Sequence, residues 1–91
     1  PKEGVYAVYA YIDEVRYAGM LNIGHRPTVD NGSNLSIEVH ILNFSGDIYN
    51  HHMRIEFIEF IRQEQKFDSL EKLIAQLNTD RETVSRLLLH S

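Results

Sequence analysis

The 91-residue chain changes its apolar period once, and that change limits its fold more than any other feature. From residue 4 to residue 61, β-branched, aromatic and aliphatic residues follow strand spacing. From residue 69 to residue 90 they recur at three and four, the spacing of a helix. A strand-rich body followed by helix fits one small domain. It excludes doubly wound and eight-unit barrel folds, which need roughly 150–250 residues.

The strand half divides at its turn residues. Gly4–Ile12 has apolar residues on both faces, which suits a strand inside a closed or nearly closed barrel. Asp13-Glu14 makes a turn, and Val15–Leu21 returns as a hairpin arm. Asn22 to Thr28 is expected to leave the strand as an irregular loop, with Gly24 and Pro27 in it. Asp30–Asn34 is a turn. Leu35–Phe44 is then a strand, with Ile37, Val39 and Ile41 on one face and Glu38 and His40 on the other. Asn50 suits a left-handed backbone. Arg54–Ile61 is the last strand, and its alternation slips near Ile58, as a bulge would cause. Two short helices are expected after it. Ser69 caps the first, with Leu70, Leu73, Ile74 and Leu77 as its stripe. Thr79-Asp80-Arg81-Glu82 starts the second, with Val84, Leu87 and Leu88.

Composition narrows the function. A net charge of -4 argues against a duplex nucleic-acid binder that relies on a basic patch. It also speaks against a single-strand binder built on Tyr6, Tyr9, Tyr11, Tyr17 and Tyr49, which read more simply as core. With no cysteine, neither a disulfide framework nor a thiolate metal site is available, and cytoplasm is the expected compartment. No stretch has the length of a membrane span, so no membrane partner is expected. His51 and His52 are adjacent and would point to opposite faces of a strand. His25, His40 and His90 lack ligand-like spacing, so no histidine metal site is expected. Glu38, mid-strand between Ile37 and Val39, either faces water or points into a cavity as a general base. On pattern alone the outward reading is the commoner one.

Five ordered segments carry a resemblance. They are Gly4–Val8, Gly19–Thr28, Ile37–Phe44, Asp47–Tyr49 and Glu56–Leu70. Together they resemble the riboflavin kinase family over nearly the whole chain, most closely the C-terminal module of the bacterial bifunctional riboflavin kinase and FAD synthetase. Departures are mild at Asn50, where the family usually has Gly, and at Asn43, where it often has Asp.

The resemblance implies a mainly β fold: a small Greek-key β-barrel followed by helix. It implies transfer of the γ-phosphate of ATP to the 5′-hydroxyl of riboflavin, giving FMN, with Mg²⁺ accompanying the nucleotide. Glu38 matches the family's catalytic base. Arg62, Glu64 and Phe67 match its flavin loop. Asn22, Gly24, Arg26 and Tyr49 match segments on the nucleotide side. An adenylyltransferase module is expected in the same native chain. The family also carries an earlier strand and a Pro-Thr-Ala-Asn loop that helps hold the metal-nucleotide. Neither precedes Gly4 here, so the chain reads as an N-terminally truncated domain with no metal ligand of its own. Three expectations follow: an opened barrel, weak or absent turnover by the 91-mer alone, and a free edge on Gly4–Ile12 open to self-association. The alternative function is a non-catalytic flavin- or nucleotide-binding barrel.

Overall fold

Four antiparallel strands make one sheet in the computed structural model, which describes residues 1–48 and 51–89. They are β1 (Gly4–Ile12), β2 (Val15–Pro27), β3 (Ser33–Ile41) and β4 (Met53–Arg62). A single helix, α1 (Leu70–Leu88), follows. The sheet order is β3-β2-β1-β4. That is a Greek key: three strands joined by hairpins, and a fourth that returns beside the first. The mainly β class and the Greek key therefore hold. The expectations for Tyr49 and Asn50, and for His90, fall outside the described residues.

The sheet is open, but not where expected. β4 pairs along the far side of β1 from Val5 to Ile12, so β1 is central and has no free edge. Among the described residues β3 and β4 are the outer strands. The expected bulge is present. Val8 pairs with Phe57 and Ala7 with Glu59, which leaves Ile58 as the extra residue, and a second slip leaves out Ile61.

The β1–β2 turn is tight because Asp13 and Glu14 both take positive φ, 51° and 69°, the primed geometry that matches strand twist. β2 runs on to Pro27, so the expected loop at Asn22–Thr28 is strand instead. Beyond Ile23 it has lost β1 as a neighbour and keeps only β3, paired as far as Pro27 with Ser33. A proline at such a one-sided strand end breaks no ladder on its open side.

The helical segment is one helix, not two. Ser69 caps it, its side chain accepting from the Lys72 backbone N–H at 3.1 Å. No Gly or Pro interrupts residues 70–88. At the expected second start, Thr79 donates its hydroxyl to Ala75 O at 3.1 Å instead of capping a new turn. The buried stripe also differs from the aliphatic one. Asp80 and Val84 are buried, whereas Leu70, Ile74, Leu77 and Leu87 are exposed.

Each sheet face has its own core. Tyr6, Val8, Leu21 and Ile23 pack on one, against Val39, Ile55 and Phe60. Tyr6 meets Phe57 and Phe60 edge-on, which makes it a core residue. On the other face Ala7, Ala18, Met20 and Leu42 receive Val84 of α1. Two alanines there leave room for the helix to lie against the sheet. No helix is long and apolar enough to cross a membrane among the described residues.

Candidate active site

Sheet register places the site. Glu38 of β3 pairs with Asn22 of β2, Asn22 with Val5 of β1, and Val5 with Arg62 of β4. The four form one transverse row, and directly opposed residues in a sheet share a face. That is the face on which α1 packs. Glu38 therefore stands on the helix side, away from the Tyr6–Val8 core.

A cleft of about 350 Å³ opens over this row. The sheet forms its floor. Leu73, Leu77 and Asp80 of α1 form one wall, and Glu64, Gln65 and Phe67 of the β4–α1 connector form another. A second cleft, about 260 Å³, continues along β2 and β3 and is lined by Gly24, His25, Arg26, Ser36 and Lys66. Asn22, Glu38, Glu64 and Gln65 line both clefts and mark their junction.

The first cleft is largely apolar, with the carboxylates of Glu38, Glu64 and Asp80 in its lining. The second is polar and carries basic side chains. A small cavity with a few convergent polar groups is the usual form of a ligand site. Its polar contacts are specific. Arg26 reaches along β3, donating from Nε to Ser36 Oγ at 3.2 Å and from Nη2 to Glu38 Oε1 at 2.6 Å. The Asn22 Oδ1 atom is buried and has no hydrogen-bond partner among the described residues. A buried acceptor left unpaired costs roughly 1–3 kcal/mol, so a ligand that donates to it gains that back.

The connector is held over the site at two points. Glu64 lies directly above Gly24, where a Cβ would overlap its carboxylate and stand 3.0 Å from Cδ. Glycine at position 24 is what lets the connector descend that far. At the other end Arg62 donates to Asp80 of α1, with Nη2 2.8 Å from Oδ2 and Nε 3.0 Å from Oδ1. Its Nη1 donates to Gln63 O at 3.1 Å, and its guanidinium lies 5.9 Å from the Phe67 ring centroid.

Seven of the eight residues singled out from sequence line these two clefts: Asn22, Gly24, Arg26, Glu38, Arg62, Glu64 and Phe67. The eighth, Tyr49, is outside the described residues. Sequence reading missed Asp80, which it placed in a helix start. The signal was there: Asp80 lies at helical spacing between Leu73 and Leu77 before it and Val84 and Leu88 after it, a polar residue on an inward face. His40 and His25 border the first and second cleft, but neither stands in a metal-ligand set among the described residues. His25 pairs with Glu3, and His51 Nδ1 is 2.7 Å from an Asp13 carboxylate oxygen. No cluster of three or more His, Asp or Glu among the described residues is placed to hold a metal ion.

Fold and candidate site together describe a small domain, a Greek-key sheet with two clefts meeting at Glu38 and Glu64. Comparison with known proteins gives it a family. The riboflavin kinase (Flavokinase) family matches residues 1–88. The chain belongs to the riboflavin kinase family.

A bifunctional riboflavin kinase/FMN adenylyltransferase of Pseudomonas fluorescens is 42% identical over 80 residues, covering 88% of this chain and 26% of that protein. The protein of the same name from Listeria monocytogenes is 44% identical, with the same coverage. An RNA-binding riboflavin kinase of Bacillus subtilis is 34% identical over 85 residues, covering 93% of this chain and 37% of its own length. The chain thus spans about a quarter of the bifunctional relatives. A crystal structure from Streptococcus pneumoniae, described as a macrolide-efflux protein, superposes with a TM-score of 0.83 at 36% identity, covering 92% of this chain and 27% of that one.

Proposed function

We propose that this domain transfers the γ-phosphate of ATP to the 5′-hydroxyl of riboflavin, giving FMN and ADP. The observation that carries the reading is the position of Glu38 where an apolar cleft meets a basic one. A flat, largely apolar ring system suits the first cleft, between Phe67 on one side and Leu73 and Leu77 on the other. Phosphates suit the second, beside Arg26 and Lys66.

In this arrangement the ribityl chain of riboflavin runs from the first cleft toward Glu38. Glu38 accepts the proton of the 5′-hydroxyl as that oxygen bonds to the γ-phosphorus. The bond from phosphorus to the β–γ bridging oxygen breaks, and ADP leaves. Phosphoryl transfer of this kind relies mainly on positioning and charge neutralisation, and needs only one base. Asn22 Oδ1, the unpaired acceptor at the junction, takes a hydrogen bond from a substrate hydroxyl or amino group. Glu64 and Arg62 bound the flavin side, and Gly24 and Arg26 the nucleotide side. Mg²⁺ enters with ATP as part of that substrate and would neutralise charge on its phosphates.

The bifunctional names of the relatives support a wider reading in which an FMN adenylyltransferase module works in the same protein and converts the FMN onward.

An amide NMR titration tests the assignment of the clefts. Riboflavin is expected to shift Arg62–Phe67, Leu73 and Leu77. Mg-ADP is expected to shift Gly24–Arg26, and both to shift Glu38. Riboflavin shifts confined to the opposite sheet face, around Tyr6 and Val8, would overturn it. Binding of both ligands with no FMN formed once Mg-ATP replaces Mg-ADP would leave the non-catalytic binding module as the reading.

A further inference from the structure

Asp80 is the only buried charged residue described, 1% exposed, and it sits on a helix that supplies otherwise only apolar side chains to the first cleft. Its carboxylate takes three hydrogen bonds from Arg62, through Nε and Nη2, and a fourth from Gln76 Nε2 at 3.0 Å. Two of the five Arg62 N–H groups are committed to Asp80 and a third to Gln63 O. Arg62 is the last residue of β4, and everything from Gln63 to Phe67 hangs from it.

We infer that Asp80 is a positioning residue for the flavin side of the site: it fixes the Arg62 guanidinium, and through it the connector that covers the first cleft. The inference rests on the proposed placement of riboflavin there. A planar guanidinium held in a fork by one carboxylate has a single orientation. Its remaining edge then sets the carbonyl of Gln63 and the ring of Phe67, the points from which Glu64 reaches across to Gly24. Helix α1 acts on flavin affinity through this pair, although no charged group of the helix other than Asp80 borders the cleft. The second cleft touches neither Asp80 nor Arg62 and takes only Glu64, Gln65 and Lys66 from the connector, the rest of its lining coming from β2 and β3, so the pair acts more weakly on nucleotide affinity than on flavin affinity.

The test is calorimetric binding of riboflavin and, separately, of Mg-ADP to the full protein and to two variants. Asp80→Asn keeps the shape and removes the charge. The double variant Arg62→Met with Asp80→Leu replaces the buried pair by apolar groups, an exchange that such pairs commonly tolerate in stability. Both are expected to weaken riboflavin binding tenfold or more and Mg-ADP binding by no more than about threefold. A folded apolar pair that binds riboflavin within twofold of the unsubstituted protein overturns the inference. So does equal loss of both ligands. A measurement on the unsubstituted protein covers the case of variants that fail to fold. The Arg62 Nε–H resonance should be slow to exchange and should move with riboflavin, not with Mg-ADP; no movement with riboflavin overturns the inference. Absence of riboflavin binding to the unsubstituted protein instead overturns the flavin reading itself.

Discussion

Arg26 Nη2 lies 2.6 Å from Glu38 Oε1, so one of the two carboxylates at the junction of the clefts is held by a cation from the polar one. Both side chains are more than half exposed, and an exposed pair of this kind contributes little to stability, about 0–1 kcal/mol. Its value lies in orientation. In the proposed function the transferring phosphate comes beside Arg26, and a nucleotide there would draw Arg26 away and leave Glu38 free to take a proton. Arg26→Gln is predicted to raise the KM for ATP about tenfold or more while shifting the melting temperature by no more than about 4–8 °C. Steady-state kinetics with a thermal melt decides it. An unchanged KM for ATP would place the phosphates elsewhere.

Gly24 is predicted to tolerate no side chain without loss of flavin binding. In Gly24→Ala the new methyl overlaps the Glu64 carboxylate, the far end of a flexible side chain, so Glu64 swings off and the strand survives. Riboflavin affinity should fall several-fold with little change in stability. The measurement is riboflavin fluorescence quenching beside a denaturation curve. A large stability loss would mean that the backbone, not Glu64, takes up the strain.

The aliphatic pattern of the helix misleads about which residues hold it. Val84 is fully buried against Ala7, Ala18 and Met20, whereas Leu70 is 69% exposed. Val84→Ala is predicted to cost about 2 kcal/mol, the transfer of two methyl groups plus a residual cavity. Leu70→Ala should cost less than about 0.5 kcal/mol. Paired urea melts settle the contrast, and equal losses would put the helix in a different rotation on the sheet.

Much of this fold is legible in the sequence because β-strand signals here are local. The two-residue turn at Asp13-Glu14, the Ser69 cap and the slip at Ile58 each announce themselves in neighbouring residues. What is not legible depends on partners far away in the chain. β2 continues to Pro27 only because β3 comes back to pair with it. β1 is central only because β4 returns to its far side. Thr79–Glu82 has the pattern of a helix start, but Asp80 is spent on Arg62, a residue 18 positions earlier. The candidate site residues came from resemblance, and the register brings three of them together: one row carries Glu38, Asn22 and Arg62 on a single face. The pairing of Arg62 with Asp80 has no such local signature.

The turn between β2 and β3 carries a pH marker. The Thr28 hydroxyl and then the Gly32 backbone N–H donate to Asp30, and these hold its carboxyl below its ordinary value of 3.8. A depressed folded-state value stabilises the fold above the unfolded value, and that contribution fades as pH falls from about 3.8 through the folded value. Thr28→Val is predicted to bring the Asp30 titration, followed by carboxyl carbon NMR, back toward 3.8. An Asp30 that titrates identically in both proteins would remove Thr28 as the cause.

The most direct test of the account is Glu38→Gln in the full protein, with riboflavin phosphorylation and riboflavin affinity measured side by side. The substitution keeps the size of the side chain and removes its ability to accept the 5′-hydroxyl proton. A general base contributes about 10²–10⁴-fold, so turnover should fall by that order while riboflavin affinity stays within about threefold. Turnover retained within a few-fold would contradict the placement of the chemistry at the junction of the two clefts.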